Sequence, residues 1–240
     1  RGYATMQQRA IHESGVVPLP RKLDALDRNG FGVVKAIESE DVEAVSRMES
    51  RTALACIFGG ALAERLRAEF SAEFAPLSVL HVTTEPGEDN ASMKWHCDAG
   101  PRAHLKVLVY LNETDAATCL IGRQETELFM RAGYPFGLVE ERVDDEGLAE
   151  IAGAAGIDYT SQRFSPAPGQ ALLFEPNTVL HRGIAPTTVA RQMLQIVLVP
   201  WYQPWQSFVA EHGACVDDND GAGVPPIKQL AASPAVEMTR

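Results

Sequence analysis

The stretch Pro168-Gly169-Gln170-Ala171-Leu172-Leu173-Phe174-Glu175-Pro176-Asn177 reads as turn, buried strand, turn, and Val179-Leu180-His181-Arg182-Gly183 follows it as a second strand that ends in His181. Pro-Gly and Pro-Asn pairs set turns, and the apolar run between them is too short for a helix. The same alternation extends outward in both directions. Leu77 to Thr84, Leu105 to Leu111, Gln170 to Phe174 and Met193 to Val199 are short runs rich in Val, Leu and Ile. Pro86-Gly87, Gly100-Pro101, Pro166 and Pro168-Gly169 separate them. Strands at this spacing predict a β-sandwich or barrel, not alternating βαβ units.

Before Pro76 the texture is helical. Leu23 to Arg28 is expected to form one short helix closed by Asn29-Gly30, followed by a strand over Phe31 to Ile37. Ser39 is a candidate N-cap for a helix that opens in the acidic run Glu40-Asp41-Val42-Glu43. A second helix is expected from Ala61 to Phe74, where Leu62, Leu66 and Phe70 keep helical spacing. The organisation predicted is an N-terminal arm (1–22), one mainly β domain with flanking helices (23–210) and a polar tail (211–240). Within the domain, residues 122–165 form a long, lid-like insert with an acidic helical part around Val139 to Ala155.

The 240 residues are 45% hydrophobic and 22% charged, enough to fill a sizeable core. A net charge of −11 repels phosphate backbones and anionic lipid, so neither nucleic acid nor membrane is an expected partner. No apolar run approaches the roughly 18–20 residues of a membrane span. Cys56, Cys97, Cys119 and Cys215 contain no C-x-x-C pair, which argues against a disulfide framework or a zinc knuckle and for a cytoplasmic setting.

The chemistry concentrates in Trp95-His96-Cys97-Asp98-Ala99-Gly100. In extended chain, residues i and i+2 share a face, so His96 and Asp98 project together while Trp95 and Cys97 point away. An imidazole beside a carboxylate makes two thirds of a two-His-one-carboxylate facial triad, which suits iron(II) and leaves positions open for a co-substrate and O2. His181 supplies the third ligand. Ten residues later Arg191 opens Arg191-Gln192-Met193-Leu194-Gln195-Ile196-Val197-Leu198-Val199, on one face with Met193, Gln195 and Val197. A guanidinium in an apolar core strand requires an anion, because burying it unpaired is costly. A 2-oxo acid satisfies both needs: its keto oxygen and adjacent carboxylate chelate a metal, and its distal carboxylate takes the fork of Arg191.

The order His96-x-Asp98, His181, Arg191 resembles the iron(II)/2-oxoglutarate dioxygenase superfamily, and most closely its phytanoyl-CoA dioxygenase-like branch. Asn29 to Val34, Leu105 to Leu111 and Pro168 to Phe174 resemble that branch's opening turn, its strand after His-x-Asp and its approach to the distal His. The resemblance covers about Leu23 to Pro200. It implies a double-stranded β-helix (jelly-roll) core, iron ligation by His96, Asp98 and His181, and 2-oxoglutarate held by Arg191. It further implies oxidation, by default hydroxylation, with succinate and CO2 released. The compact size and the absence of a carrier or nucleic-acid signature point to a small-molecule substrate, amino-acid-like or a specialised metabolite. Thr118-Cys119-Leu120-Ile121-Gly122-Arg123-Gln124 stands where the branch shows a Gly-rich turn, so a fatty acyl-CoA substrate does not follow.

Gln195, Lys106 and Thr118 are further candidates for contact with the co-substrate. Lys106 and Tyr110 share a strand face with His104 and Leu108. His81, inside an apolar strand, reads as a core histidine, and Trp201, Tyr202 and Trp205 as a C-terminal closure. Asp98 argues against a radical halogenase, Val197 against an alkylation-repair enzyme with a second Arg, and Arg191 against the Lys of prolyl hydroxylases. Two alternatives from other classes are a non-catalytic jelly-roll binding module and a cupin-like metalloenzyme that does not use 2-oxoglutarate. The oligomeric state is not legible.

Overall fold

In the computed structural model the described residues are 26, 29–59, 61–70, 73–98, 104–134, 139–201, 205, 207 and 215–217. The nine strands among them are β1 (Phe31–Lys35), β2 (Glu73–Thr84), β3 (Leu105–Tyr110), β4 (Ala117–Ile121), β5 (Ser161–Phe164), β6 (Gln170–Phe174), β7 (Leu180–Ile184), β8 (Arg191–Trp201) and β9 (Cys215–Asp217). They form two sheets, β1-β6-β3-β8-β2-β9 and β5-β4-β7. All neighbours are antiparallel except β9, which runs parallel to β2 at its edge. The fold is mainly β with flanking helices, as the strand spacing predicts, and its two sheets form the jelly roll that the resemblance implies.

Alternation along β8 sorts its side chains into two cores. Leu194, Ile196 and Leu198 join Val107 and Val109 of β3 on the outer face of the larger sheet. There they meet Val45, Leu54, Ile57, Leu62, Leu66 and Phe70 from the helices α1 (Val42–Ser46), α2 (Ser50–Gly59) and α3 (Ala61–Phe70). Met193 faces the other way, with Leu108, Tyr110, Leu120, Leu172 and Phe174, in the cluster enclosed between the two sheets. Such two-faced burial follows from the period of two, since a one-residue slip would exchange the cores.

The turn Pro168-Gly169 acts as predicted. Gly169 has φ +84°, and a Cβ there would stand 2.8 Å from the Ile37 carbonyl oxygen, a position closed to other residues. Its own carbonyl accepts from the Ala36 and Ile37 amides, which ties the end of β1 to the start of β6.

Several boundaries differ from expectation. The helix expected to run from Ala61 to Phe74 ends at Phe70, and Phe74 already belongs to β2, stacked edge-on against Phe70 at 5.3 Å. Ser39 is not a cap: α1 starts at Val42 with Asp41 at the N-cap position and no side-chain capping bond. β7 does not end at His181 but continues to Ile184. The segment bearing His96 and Asp98 is not a full strand. Trp95 and His96 make single bridges to Val143 and His181, and the Asp98 amide then bonds to the Pro176 carbonyl. The N-terminal arm, Tyr202 and most of the helix expected at Leu23 to Arg28 lie outside the described residues.

Residues 122–165 contain α4 (Arg123–Arg131), a 3-10 turn (Val139–Glu141), α5 (Asp145–Ala155) and β5. Their apolar side chains pack on the outer face of the smaller sheet, where Phe129, Tyr134, Leu148 and Ala152 enclose Trp95, Cys97, Cys119 and Leu180. The α5 helix is capped at both ends: the Asp144 carboxylate accepts from the Gly147 amide, and Gly156 closes the helix at φ +66°. Phe129 is fully buried and meets Tyr159 edge-on at 5.1 Å. Phe129→Ala should therefore cost about 3–5 kcal/mol, read as a lowered denaturant midpoint, with the larger sheet's helical face untouched.

Candidate metal centre

His96, Asp98 and His181 converge. The His96↔His181 bridge sets the two imidazoles side by side, with ring centroids 4.2 Å apart, and both residues are buried. One ligand atom from each of the three residues lies within 4.8 Å of the others. Backbone carbonyls decide which nitrogens face inward. Nδ1 of His96 lies 2.7 Å from the Lys94 carbonyl, and Nδ1 of His181 lies 2.9 Å from that of Val179. A carbonyl only accepts, so both Nδ1 atoms carry the proton and both Nε2 atoms present lone pairs.

Those lone pairs point at a carboxylate. Asp98 Oδ1 stands 3.5 Å from His96 Nε2 and 3.6 Å from His181 Nε2, longer than a good hydrogen bond and without a proton between them. Buried His181 Nε2 has no hydrogen-bond partner. Three acceptors facing one another are repulsive unless a cation lies among them. The residues therefore fit a divalent metal ion with two neutral nitrogen donors and one carboxylate oxygen.

Electrostatics favour this protonation state. Burial, reinforced by His181, lowers His96 to about 3, and burial likewise lowers His181. Burial alone would raise the Asp98 carboxyl, but the Lys106 ammonium beside it favours the ionised form, and the carboxyl is held well below the usual carboxylate range. Lys106 does not reach toward Arg191. Its ammonium pairs with Asp98 Oδ2 and lies 5.8 Å from the centre of the Phe174 ring, leaving Oδ1 for the cation.

Arg191 opens β8 on the same inner face as Met193, and it is 3% exposed. Its Nη1 donates to the Ala117 carbonyl at 3.2 Å and its Nη2 to Thr84 Oγ1 at 3.1 Å, while buried Nε has no partner. No carboxylate pairs with it among the described residues. Tyr110 stands beside it, its hydroxyl 3.0 Å from Thr118 Oγ1, and burial pushes the phenol's pKa up. Arg191, Thr84, Tyr110 and Thr118 thus form one buried polar group joining β8, β2, β3 and β4. Gln195 lies half-buried on the same face, between Leu80 and Leu108.

Thr84 carries no sequence signal, because its role follows only from its pairing with Arg191 across the β2–β8 ladder. Gly183 was also missed. It follows His181 on the inner face, and a Cβ there would meet Met93 Sδ at 2.9 Å, so its missing side chain admits the thioether. Cys97, Trp95 and Cys119 turn outward, as the alternation predicts. His81 is half-buried on β2, and Trp205 packs on Phe58 at 5.9 Å on the helical side.

Fold and site together define a jelly-roll protein with a two-His-one-carboxylate metal-binding triad and a buried arginine whose hydrogen-bond partners are neutral. No family model matches the chain, and no curated protein matches it. Among solved structures it is similar to EctD from S. alaskensis, determined with 2-oxoglutarate and 5-hydroxyectoine, at 18% identity over 73% of each chain and a TM-score of 0.46. It is also similar to an N-substituted L-amino acid dioxygenase from Burkholderia ambifaria, at 14% identity over 72% of this chain and 85% of that one, TM-score 0.42. A third is the non-haem alpha-ketoglutarate-dependent epimerase SnoN from nogalamycin biosynthesis, at 13% identity over 84% and 87%, TM-score 0.46. At these scores the function has to be argued from the site itself.

The depressed histidines set a pH dependence for the metal-free protein. Unfolded, a histidine titrates near 6.5; folded, His96 does so at about 3. Between those values the unfolded state binds the extra proton, so stability falls as pH drops from 6.5 toward 3. Denaturant midpoints of chelator-treated protein should show this slope, and His96→Gln should flatten it.

Proposed function

We propose that the protein is an Fe(II)- and 2-oxoglutarate-dependent oxygenase acting on a small molecule. The observation that carries this reading is the pairing of a lone-pair triad with a buried guanidinium that has only neutral partners. In the β4–β7 register Leu120 faces His181 and Thr118 faces Gly183. The Arg191 group is therefore one same-face step from the triad, about 6–7 Å along the strands. A five-carbon 2-oxo diacid has that reach.

Each side chain then has a task. His96, Asp98 and His181 would hold Fe(II). Lys106 fixes the Asp98 carboxylate through Oδ2, so that its other oxygen points at the metal. Arg191 takes the distal carboxylate of 2-oxoglutarate through its fork, with the Thr84, Thr118 and Tyr110 hydroxyls around it and Gln195 farther along β8. Bound Fe(II) supplies the oxidising chemistry, consuming O2 and 2-oxoglutarate and releasing succinate and CO2. The apolar inner cluster of Leu108, Leu172, Phe174 and Met193 keeps water from the reacting centre. Hydroxylation is the outcome that needs no further group.

A metal hydrolase or isomerase on the same triad would leave Arg191 without an anion, and a plain binding module would leave the three facing lone pairs without a cation. The test is anaerobic. Fe(II) plus 2-oxoglutarate should give a visible metal-to-ligand charge-transfer band that is absent in His96→Ala. Arg191→Ala should weaken 2-oxoglutarate binding by about 100-fold, the scale of an unpaired buried charge. A well-folded wild type without the band would reject the proposal.

A further inference from the structure

A second guanidinium stands on the metal side of the smaller sheet, and neither the triad nor the co-substrate clamp uses it. The Trp95↔Val143 bridge is antiparallel, so the residue before Val143 lies opposite the residue after Trp95. Arg142 therefore faces His96. Side-chain burial agrees: Trp95 and Val143 both pack into the outer cluster beneath α4 and α5. Alternation then sends His96 and Arg142 to the inner side, where His181 and Asp98 lie.

Arg142 is half-buried and short of partners. Its Nη1 donates to the Ala91 carbonyl at 2.9 Å, and its buried Nε has no partner. No carboxylate lies within ion-pair distance of it among the described residues. Its neighbours differ in having carboxylate partners, although Arg182 Nε is likewise without a hydrogen-bond partner. Arg123 pairs with Glu175 at 2.8 Å, and Arg182, on the outer face, pairs with Asp145 and stacks over Trp95 at 5.5 Å. One carbonyl uses one of five donors, so a purely structural role leaves the fork of Arg142 unexplained.

We infer that Arg142 anchors a carboxylate on the small molecule that the enzyme oxidises. This rests on the oxygenase reading above and names a substrate class for it. A carboxylate fits better than a phosphate: only one guanidinium is present, and Glu140 and Glu141 stand next to it on the chain, which suits a singly charged group. Held across the strand pair from His96, the acid would lie on the far side of the metal from Arg191, so the two anions do not compete.

The test uses full-length protein holding Fe(II) and 2-oxoglutarate under nitrogen. The probes are a set of N-acetyl L-amino acids, each beside its methyl ester, with binding read by calorimetry. At least one free acid should bind at least 10-fold more tightly than its ester. Arg142→Gln should remove that preference, and Arg142→Lys should restore part of it. The charge-transfer band, followed in the same samples, reports separately on the iron and 2-oxoglutarate reading and on the folding of each variant. Acids and esters binding alike, an Arg142→Gln protein that still prefers acids, or no acid binding at all would each overturn the inference. A missing band in wild type would instead sink the oxygenase reading, while calorimetry still decides whether Arg142 selects acids.

Discussion

Two backbone carbonyls, those of Lys94 and Val179, organise the centre of this molecule. By accepting the Nδ1 protons of His96 and His181 they force both Nε2 lone pairs inward, against the carboxylate of Asp98. The resulting repulsion is tolerable only because the surrounding structure is over-determined. The His96↔His181 bridge exchanges two backbone hydrogen bonds, and the Asp98 amide is tied to Pro176. Lys106 neutralises the carboxylate from its other oxygen. A site so built is already shaped for a cation before one arrives, which lowers the reorganisation that binding demands.

The jelly roll suits this arrangement because its two sheets turn opposite faces to different tasks. Outer faces are covered by helices, α1 to α3 on one side and α4 with α5 on the other. The inner faces are then free to carry polar groups, provided each is satisfied by protein or ligand. Tyr110 and Thr118 satisfy one another, whereas Arg191 and His181 keep buried atoms without partners. The clusters behind the inner faces are apolar.

The sequence was most legible where period-two alternation and chemistry coincide. Leu105 to Tyr110, Gln170 to Phe174 and Arg191 onward alternate clearly, and each is a strand whose inner and outer faces fall as the pattern requires. The triad was legible because three ligand types in that order, with an arginine beyond, have few other uses. Other elements gave less signal. The β5 strand, Ser161-Gln162-Arg163-Phe164, is a polar edge largely exposed to solvent, so it has no apolar run. The α4 helix buries only Thr126 and Phe129, too few to set a helical stripe. The contacts of Thr84, Gly183 and Arg142 are set by pairing across strands distant in sequence, and no local pattern encodes such pairings.

Charge is distributed unevenly enough that the total misleads. The chain carries a net −11, which on its own predicts poor affinity for anions. On the inner faces the balance is reversed. Lys106 and Asp98 cancel, His96 and His181 are neutral, and Arg191 and Arg142 remain as two guanidinium groups without carboxylates. A divalent cation in the triad adds to that excess. Because interactions in a poorly solvated interior are screened far less than those at the surface, the local excess governs which ligands bind. A dianionic 2-oxo acid and a monocarboxylate, one for each guanidinium, would offset most of that excess. A cationic interior set inside an anionic shell is the electrostatic setting in which the proposed preference for small acids would arise.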